Sequence, residues 1–220
     1  MDKLREAYVG EYASGKSEVA INRALELRRQ GRKVRLVDLD LVEPFYTLRP
    51  IKKELEDKGL EVVAWTTGEI MGLGETGSLL KPEMKWAFNY GGDVILDIGY
   101  GVKGVQVINL LEGLGDKTLL KIFVVINVAR PLTASVDDIM EYVATLGKVD
   151  GLINNSHLGD ETNEEIIKEG AYIVTEAALK LNVPVIATTV AREFAHFVGD
   201  KDPMGNPVRI LDLHMKKALW

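Results

Sequence analysis

Apolar positions along this chain keep two rhythms that take turns. Short runs at residues 7–9, 33–38, 60–64, 94–96, 119–128, 149–153 and 183–190 are dense in Val, Ile and Leu and read as strands. Between them, apolar residues recur three and four apart. Val19, Ala20, Ile21, Ala24, Leu25 and Leu27 form one such helical face, and others span 51–58, a segment opened by Pro82, 135–146 and 163–181. The strand runs carry few polar residues, as in strands buried on both faces of a parallel sheet. The alternation predicts an α/β fold: one doubly wound, mainly parallel sheet of about seven strands with helices on both faces.

Punctuation agrees with this reading. Arg28 and Arg29 precede Gly31, which puts cations in a last helical turn and a glycine where the backbone must turn left-handed; Gly59 closes the next helix in the same way. Glycines at 68, 72, 74 and 77 mark a segment that reads either as a switch or lid or as an irregular connection. Residues 208–220 fit two patterns, because Leu211, Leu213 and Met215 alternate as in a strand while Leu211, Met215, Ala218 and Leu219 share a helical face. The expectation is a single domain over 1–220, with 208–220 packed on it as a C-terminal extension.

Ligands of such sheets gather at the C-terminal ends of the strands. The first run is followed there by Gly10, Glu11, Tyr12, Ala13, Ser14, Gly15, Lys16 and Ser17, which fit the phosphate-binding pattern G-x-x-x-x-G-K-[ST]. Strand, loop and helix occur in the required order. The glycines allow a tight loop whose N–H groups face phosphate, Lys16 would reach the β- and γ-phosphates, and Ser17 would ligate Mg²⁺. The helix beginning there, with Glu18 in its first turn, turns its positive end toward the anion. Asp38 and Asp40 end the second strand and Asp97 ends the fourth, so topology brings hard oxygen groups toward Ser17.

Composition narrows the class. The 220 residues are 46% hydrophobic and 27% charged, ordinary for one globular domain, and the net charge of -6 argues against a surface built broadly for nucleic acid. There is no cysteine, which removes disulfides, thiolate metal sites and iron–sulfur clusters, and His157, His196 and His214 lack metal-ligand spacing. A charged opening without an apolar h-region, and no long apolar run, lead to the expectation of a cytoplasmic protein without membrane contact.

These motifs resemble the MinD/ParA-like ATPases, a branch of the P-loop NTPases. The resemblance rests on residues 10–17, on Val37-Asp38-Leu39-Asp40, on Asp97-Ile98-Gly99-Tyr100-Gly101 and on the order of elements over most of the chain. It implies that Asp40 positions the attacking water, with Lys16 as the other catalytic group, and that Ser17, Asp38 and Asp97 lie around the metal and γ-phosphate. It implies base recognition by an asparagine at the end of a late strand. Asn154 is the candidate, with Asn155 directly beside it, and an amide has the donor and acceptor an adenine edge requires. No clear N-K-x-D guanine motif occurs.

One position departs from the family. Its signature lysine follows the first glycine of the loop and reaches across an ATP-sandwiched dimer, and here that position is Glu11. A carboxylate beside phosphate is electrostatically wrong for that role unless it is turned away or balanced; Arg130 or Arg192, each just after a late strand, could supply the missing charge. The resulting expectation is a Mg²⁺-dependent, low-turnover ATP hydrolase that switches between ATP and ADP to control homodimerisation or an unidentified protein partner. Two alternatives stand beside it: a nucleotide sensor with little hydrolysis, and a phosphotransferase or ATP-dependent ligase with a small acceptor.

Overall fold

The computed structural model describes residues 2–40, 48–65, 80–113 and 119–215; the glycine-rich segment 68–77 and residues 216–220 lie outside them. Eight strands form one sheet: β1 (Arg5–Gly10), β2 (Val34–Leu39), β3 (Glu61–Val63), β4 (Asp93–Ile98), β5 (Lys121–Ile126), β6 (Gly151–Asn154), β7 (Val185–Ala191) and β8 (Val208–Leu211). Their order is β3-β2-β4-β1-β5-β6-β7-β8, and every pairing is parallel. The eighth strand lies at the start of the C-terminal stretch and includes only Leu211 of the three alternating residues; Leu213 and Met215 lie beyond its end. Leu211 and Met215 are buried in the core.

Strand side chains alternate between two apolar layers. Ala7 and Val9 join Val37, Leu39, Leu96 and Ile98 against the helices Val136–Leu146 and Glu164–Leu181 and the short helix Pro82–Lys85. Tyr8, Leu36, Ile95 and Val125 face the opposite way, onto the helix Lys16–Arg29, called α1 below, and onto Leu55 of Lys52–Asp57. Burying both faces of β1 and β4 removes water from the middle of the sheet, which supplies most of the drive to fold.

Local chemistry sets the ends of the helices. The Ser135 hydroxyl accepts from the Asp138 N–H at 3.2 Å and the Asn163 side chain accepts from the Ile166 N–H at 3.0 Å, each satisfying an orphan donor of a helical first turn. At the far end of α1, Gly31 has φ 78° and the Arg32 N–H reaches the Leu27 carbonyl, so the glycine stop read from the sequence is the one the chain uses. The chain order of the strands reverses on either side of β1, which opens a crevice at its C-terminal end. Among the described residues, no helix is long and apolar enough to cross a membrane.

Candidate functional site: the phosphate loop and its cleft

The crevice is filled by the loop that leaves β1. Gly10 has no room for a side chain, since a Cβ there would come within 2.7 Å of the Val125 carbonyl oxygen. Gly15 sits at φ 83° as the residue before α1, and a Cβ there would lie 2.1 Å from the Asn155 amide nitrogen. Both glycines of the pattern are therefore dictated by geometry, one by close approach and one by both close approach and a left-handed backbone. Lys16 and Ser17 follow as the first buried residues of α1.

Register brings the carboxylates to this point. Asp38 of β2 lies directly opposite Asp97 of β4, and Asp97 is in register with Tyr8 of β1. Tyr8 faces α1, so both carboxylates are carried on the side of the sheet where Lys16 and Ser17 begin that helix. Asp40 stands just beyond β2; its N–H donates to the Asp38 carboxylate at 3.1 Å and its own carboxylate accepts from the Lys16 ammonium at 3.2 Å. All four charged groups are buried.

Three carboxylates thus surround one ammonium. Burial works against the charge on Lys16, but Asp97, Asp40 and Asp38 outweigh it and raise the lysine pKa. Burial, with Asp38 and Asp40 adding to it, pushes Asp97 up to about 7, while Lys16 and the Ser17 hydroxyl pull the other way. Neither oxygen of Asp97 completes a well-aligned hydrogen bond. Among the described residues no group of three or more His, Asp or Glu side chains is arranged to hold a metal unaided, so a cation here would draw further ligands from phosphate and water.

The adjacent asparagines are distinguished by the structure. Asn154 is absorbed into the sheet: its amide donates to the Thr188 hydroxyl at 3.2 Å and accepts from the Ser156 hydroxyl at 2.6 Å. Asn155 faces the loop, donating to the Ser14 carbonyl at 2.8 Å and accepting from the Thr189 hydroxyl at 2.7 Å. A cleft opens beside it, lined by Gly15, Glu18, Asn155, His157, Phe194 and Leu213 among others. Burial, helped by the charge of Arg130, depresses His157 to about 4, so its ring is neutral near pH 7.

Other predicted residues are equally well placed or displaced. The Arg130 Nε donates to the Ala13 carbonyl in the middle of the loop at 3.1 Å. Arg192 instead pairs with Asp212 in solvent. The Tyr142 phenol pKa is raised, first by burial and then by the Glu11 charge. Tyr12 stands half exposed, edge-on to Tyr100 with ring centroids 5.8 Å apart.

The Glu18 side chain accepts from the His214 N–H at 2.8 Å and from the Met215 N–H, in the C-terminal stretch. Burial raises this carboxyl to about 7, against those two N–H groups and with a smaller push from Glu54. One residue the sequence reading passed over is Asn127, fully buried just after β5, which ties the loop carrying Arg130 to His157. A lone polar residue closing the run Val124-Val125-Ile126 was the signal that pointed to it.

No protein-family model and no curated protein sequence matches the chain. Solved structures do. The signal recognition particle receptor FtsY from Elizabethkingia anophelis is similar with a TM-score of 0.54 at 16% identity, over 84% of this chain and 58% of that one. The same receptor in complex with GDP is similar at 0.52 and 15%, over 84% and 56%. A nucleotide-binding protein from Archaeoglobus fulgidus in complex with ADP is similar at 0.52 and 15%, over 88% and 84%. The chain therefore spans under three-fifths of the length of these receptors. What it shares with all of them is the fold, an α/β sheet of the P-loop NTPase type.

Proposed function

We propose that this chain binds a nucleoside triphosphate with Mg²⁺, ATP in preference to GTP, and hydrolyses it slowly as a cytoplasmic switch. The nucleotide state would govern contact with a second copy or with another protein. The observation that carries the reading is the buried cluster of Lys16, Asp38, Asp40 and Asp97 at the mouth of the phosphate loop. Three carboxylates around one ammonium cost folding energy, and such an arrangement is explained by a ligand that completes it.

The donor set suits a hard divalent ion: the Ser17 hydroxyl, with Asp38 and the buried, poorly satisfied Asp97 behind it. Mg²⁺ bound there would offset the negative charge of the phosphates. Lys16 neutralises the terminal phosphates once it exchanges Asp40 for them, and Asp40, released, orients the attacking water. Catalysis of this kind is positioning and charge stabilisation rather than covalent chemistry. Adenine is supported by Leu158, which follows Asn155-Ser156-His157 where an N-K-x-D guanine motif has its carboxylate.

Titration calorimetry with ATP, GTP and ADP, with and without Mg²⁺, tests the binding reading, and wild-type protein that binds none of them overturns it. Asp40→Ala is expected to keep ATP affinity within about threefold and to slow phosphate release about a hundredfold. An unchanged rate would remove Asp40 from the mechanism. Glu11 in place of lysine favours one second reading, a sensor without turnover, which steady phosphate release from the wild type would exclude.

A further inference from the structure

We infer that Arg130 is a catalytic residue supplied within the same chain, its guanidinium contacting the terminal phosphates and replacing the charge that Glu11 denies the loop. The inference rests on the nucleotide-binding reading above and adds to it that one copy suffices for hydrolysis.

The guanidinium is half-buried and anchored at the loop itself. Its bond to the Ala13 carbonyl uses one of five N–H donors. The donors on its two terminal nitrogens make no hydrogen bond to protein among the described residues, and no carboxylate pairs with it there. A part-buried guanidinium with free donors beside the loop can receive an anion there. Its charge acts on His157, which lines the cleft.

The segment that presents it is rigid. Asn127, without exposed surface, accepts from the Ala129 N–H at 3.0 Å through its side chain and from the Thr133 hydroxyl at 2.7 Å through its carbonyl. The Arg130 N–H also donates to the Asn127 carbonyl, and the Thr133 N–H to the Arg130 carbonyl. The Asn127 amide reaches the His157 carbonyl at 3.1 Å, fastening this turn to the next. A donor held in place before the reaction contributes most where charge develops.

In the step served, a water oxygen bonds to the γ-phosphorus and the bond to the β–γ bridging oxygen breaks. The electron pair leaves with the nucleoside diphosphate, and the water proton goes to the released phosphate. Arg130 transfers nothing; its fork binds oxygens whose charge grows in that step, as arginines supplied in cis or in trans do for other P-loop enzymes.

The test is single-turnover hydrolysis of ATP by the whole chain over a fiftyfold range of protein concentration, for wild type, Arg130→Ala and Arg130→Lys. ATP and ADP affinities and thermal melting are measured alongside. Arg130→Ala is expected to lower the rate about a hundredfold and Arg130→Lys about tenfold, with ADP affinity within about threefold and melting unchanged. The wild-type rate per chain should not depend on protein concentration. An unchanged Arg130→Ala rate overturns the inference, as does a parallel loss of ATP and ADP affinity at unchanged rate, which would make Arg130 a brace for the loop. A rate per chain that climbs with concentration overturns it too, since the charge would then come from a second copy. Wild-type protein that binds no nucleotide defeats the nucleotide reading itself, an outcome distinct from these three.

Discussion

The two ends of the central strands bury charge in opposite ways. At the N-terminal end, Asp93 accepts from the Leu4 N–H at 2.9 Å and from the Arg32 fork, and Arg5 donates to the carbonyls of Gly92 and Tyr90. Glu6 takes both arms of Arg23 at 3.0 Å and the Tyr8 hydroxyl at 2.8 Å. At the C-terminal end, three carboxylates share Lys16. Paired charges close a structure, whereas a surplus of one sign leaves it waiting for a counterpart. The pKa directions record the difference. Burial alone would raise Asp93, but Arg32, the Leu4 N–H and Arg5 outweigh it and hold the group below its ordinary value, while Asp97 is pushed up to about 7.

The largest expected effect breaks the closed end. Glu6→Ala strands the Tyr8 hydroxyl and leaves the Arg23 guanidinium with Glu26 alone, and should lower unfolding free energy by about 3 kcal/mol in urea titration. The matching change at the open end should act with the other sign. Asp97→Asn removes a buried carboxylate with too few partners and is expected to stabilise the ligand-free chain by about 2 kcal/mol at pH 8, while abolishing any stabilisation by MgATP. Loss of stability in that variant would mean the open end is closed after all.

The same contrast sets the pH profile. Asp93 has a lowered folded pKa, so its contribution is present above the ordinary carboxylate range and is lost as pH falls through that range. Asp97 and Glu18 have raised pKa values, so between that range and about 7 the folded state holds more protons than the unfolded one. These two outweigh His157, whose lowered pKa works the other way, so stability of the ligand-free protein should fall as pH rises from 5 to 8, by about 2 kcal/mol, and Asp97→Asn should remove much of that slope. Chemical denaturation at the two pH values checks it. The smallest effect expected concerns the brace: Asn155→Ala should weaken nucleotide binding about tenfold, whereas Asn154→Ala should act on stability and spare affinity.

Local patterns in the sequence were enough for the strand runs, the glycine stops and the phosphate loop, because each depends on residues within a few positions of one another. The choice between Asn154 and Asn155 was not legible in that way. Neighbours at a strand end leave on opposite sides, and which side meets the loop depends on pairing with β5 and β7. Arg130 and Arg192 read alike for a similar reason. Each follows a strand, yet only one meets the loop, across 117 positions of chain. Residues 208–211 were open between strand and helix because four residues are too few for periodicity, and it is the parallel pairing with β7 that makes them β8.

The position of β1 has a consequence for the order of events during synthesis. This strand emerges from the ribosome first, yet its partners are β4 and β5, which end at Ile98 and Ile126. At roughly ten residues per second, the strand that ends in the phosphate loop waits about ten seconds with both edges unpaired. In that interval Tyr8 and Val9 are apolar side chains without a core, and Lys16 has neither Asp97 beside it nor Asn155 to steady its loop. The loop is therefore without its carboxylates and its asparagine brace until residue 155 has been made.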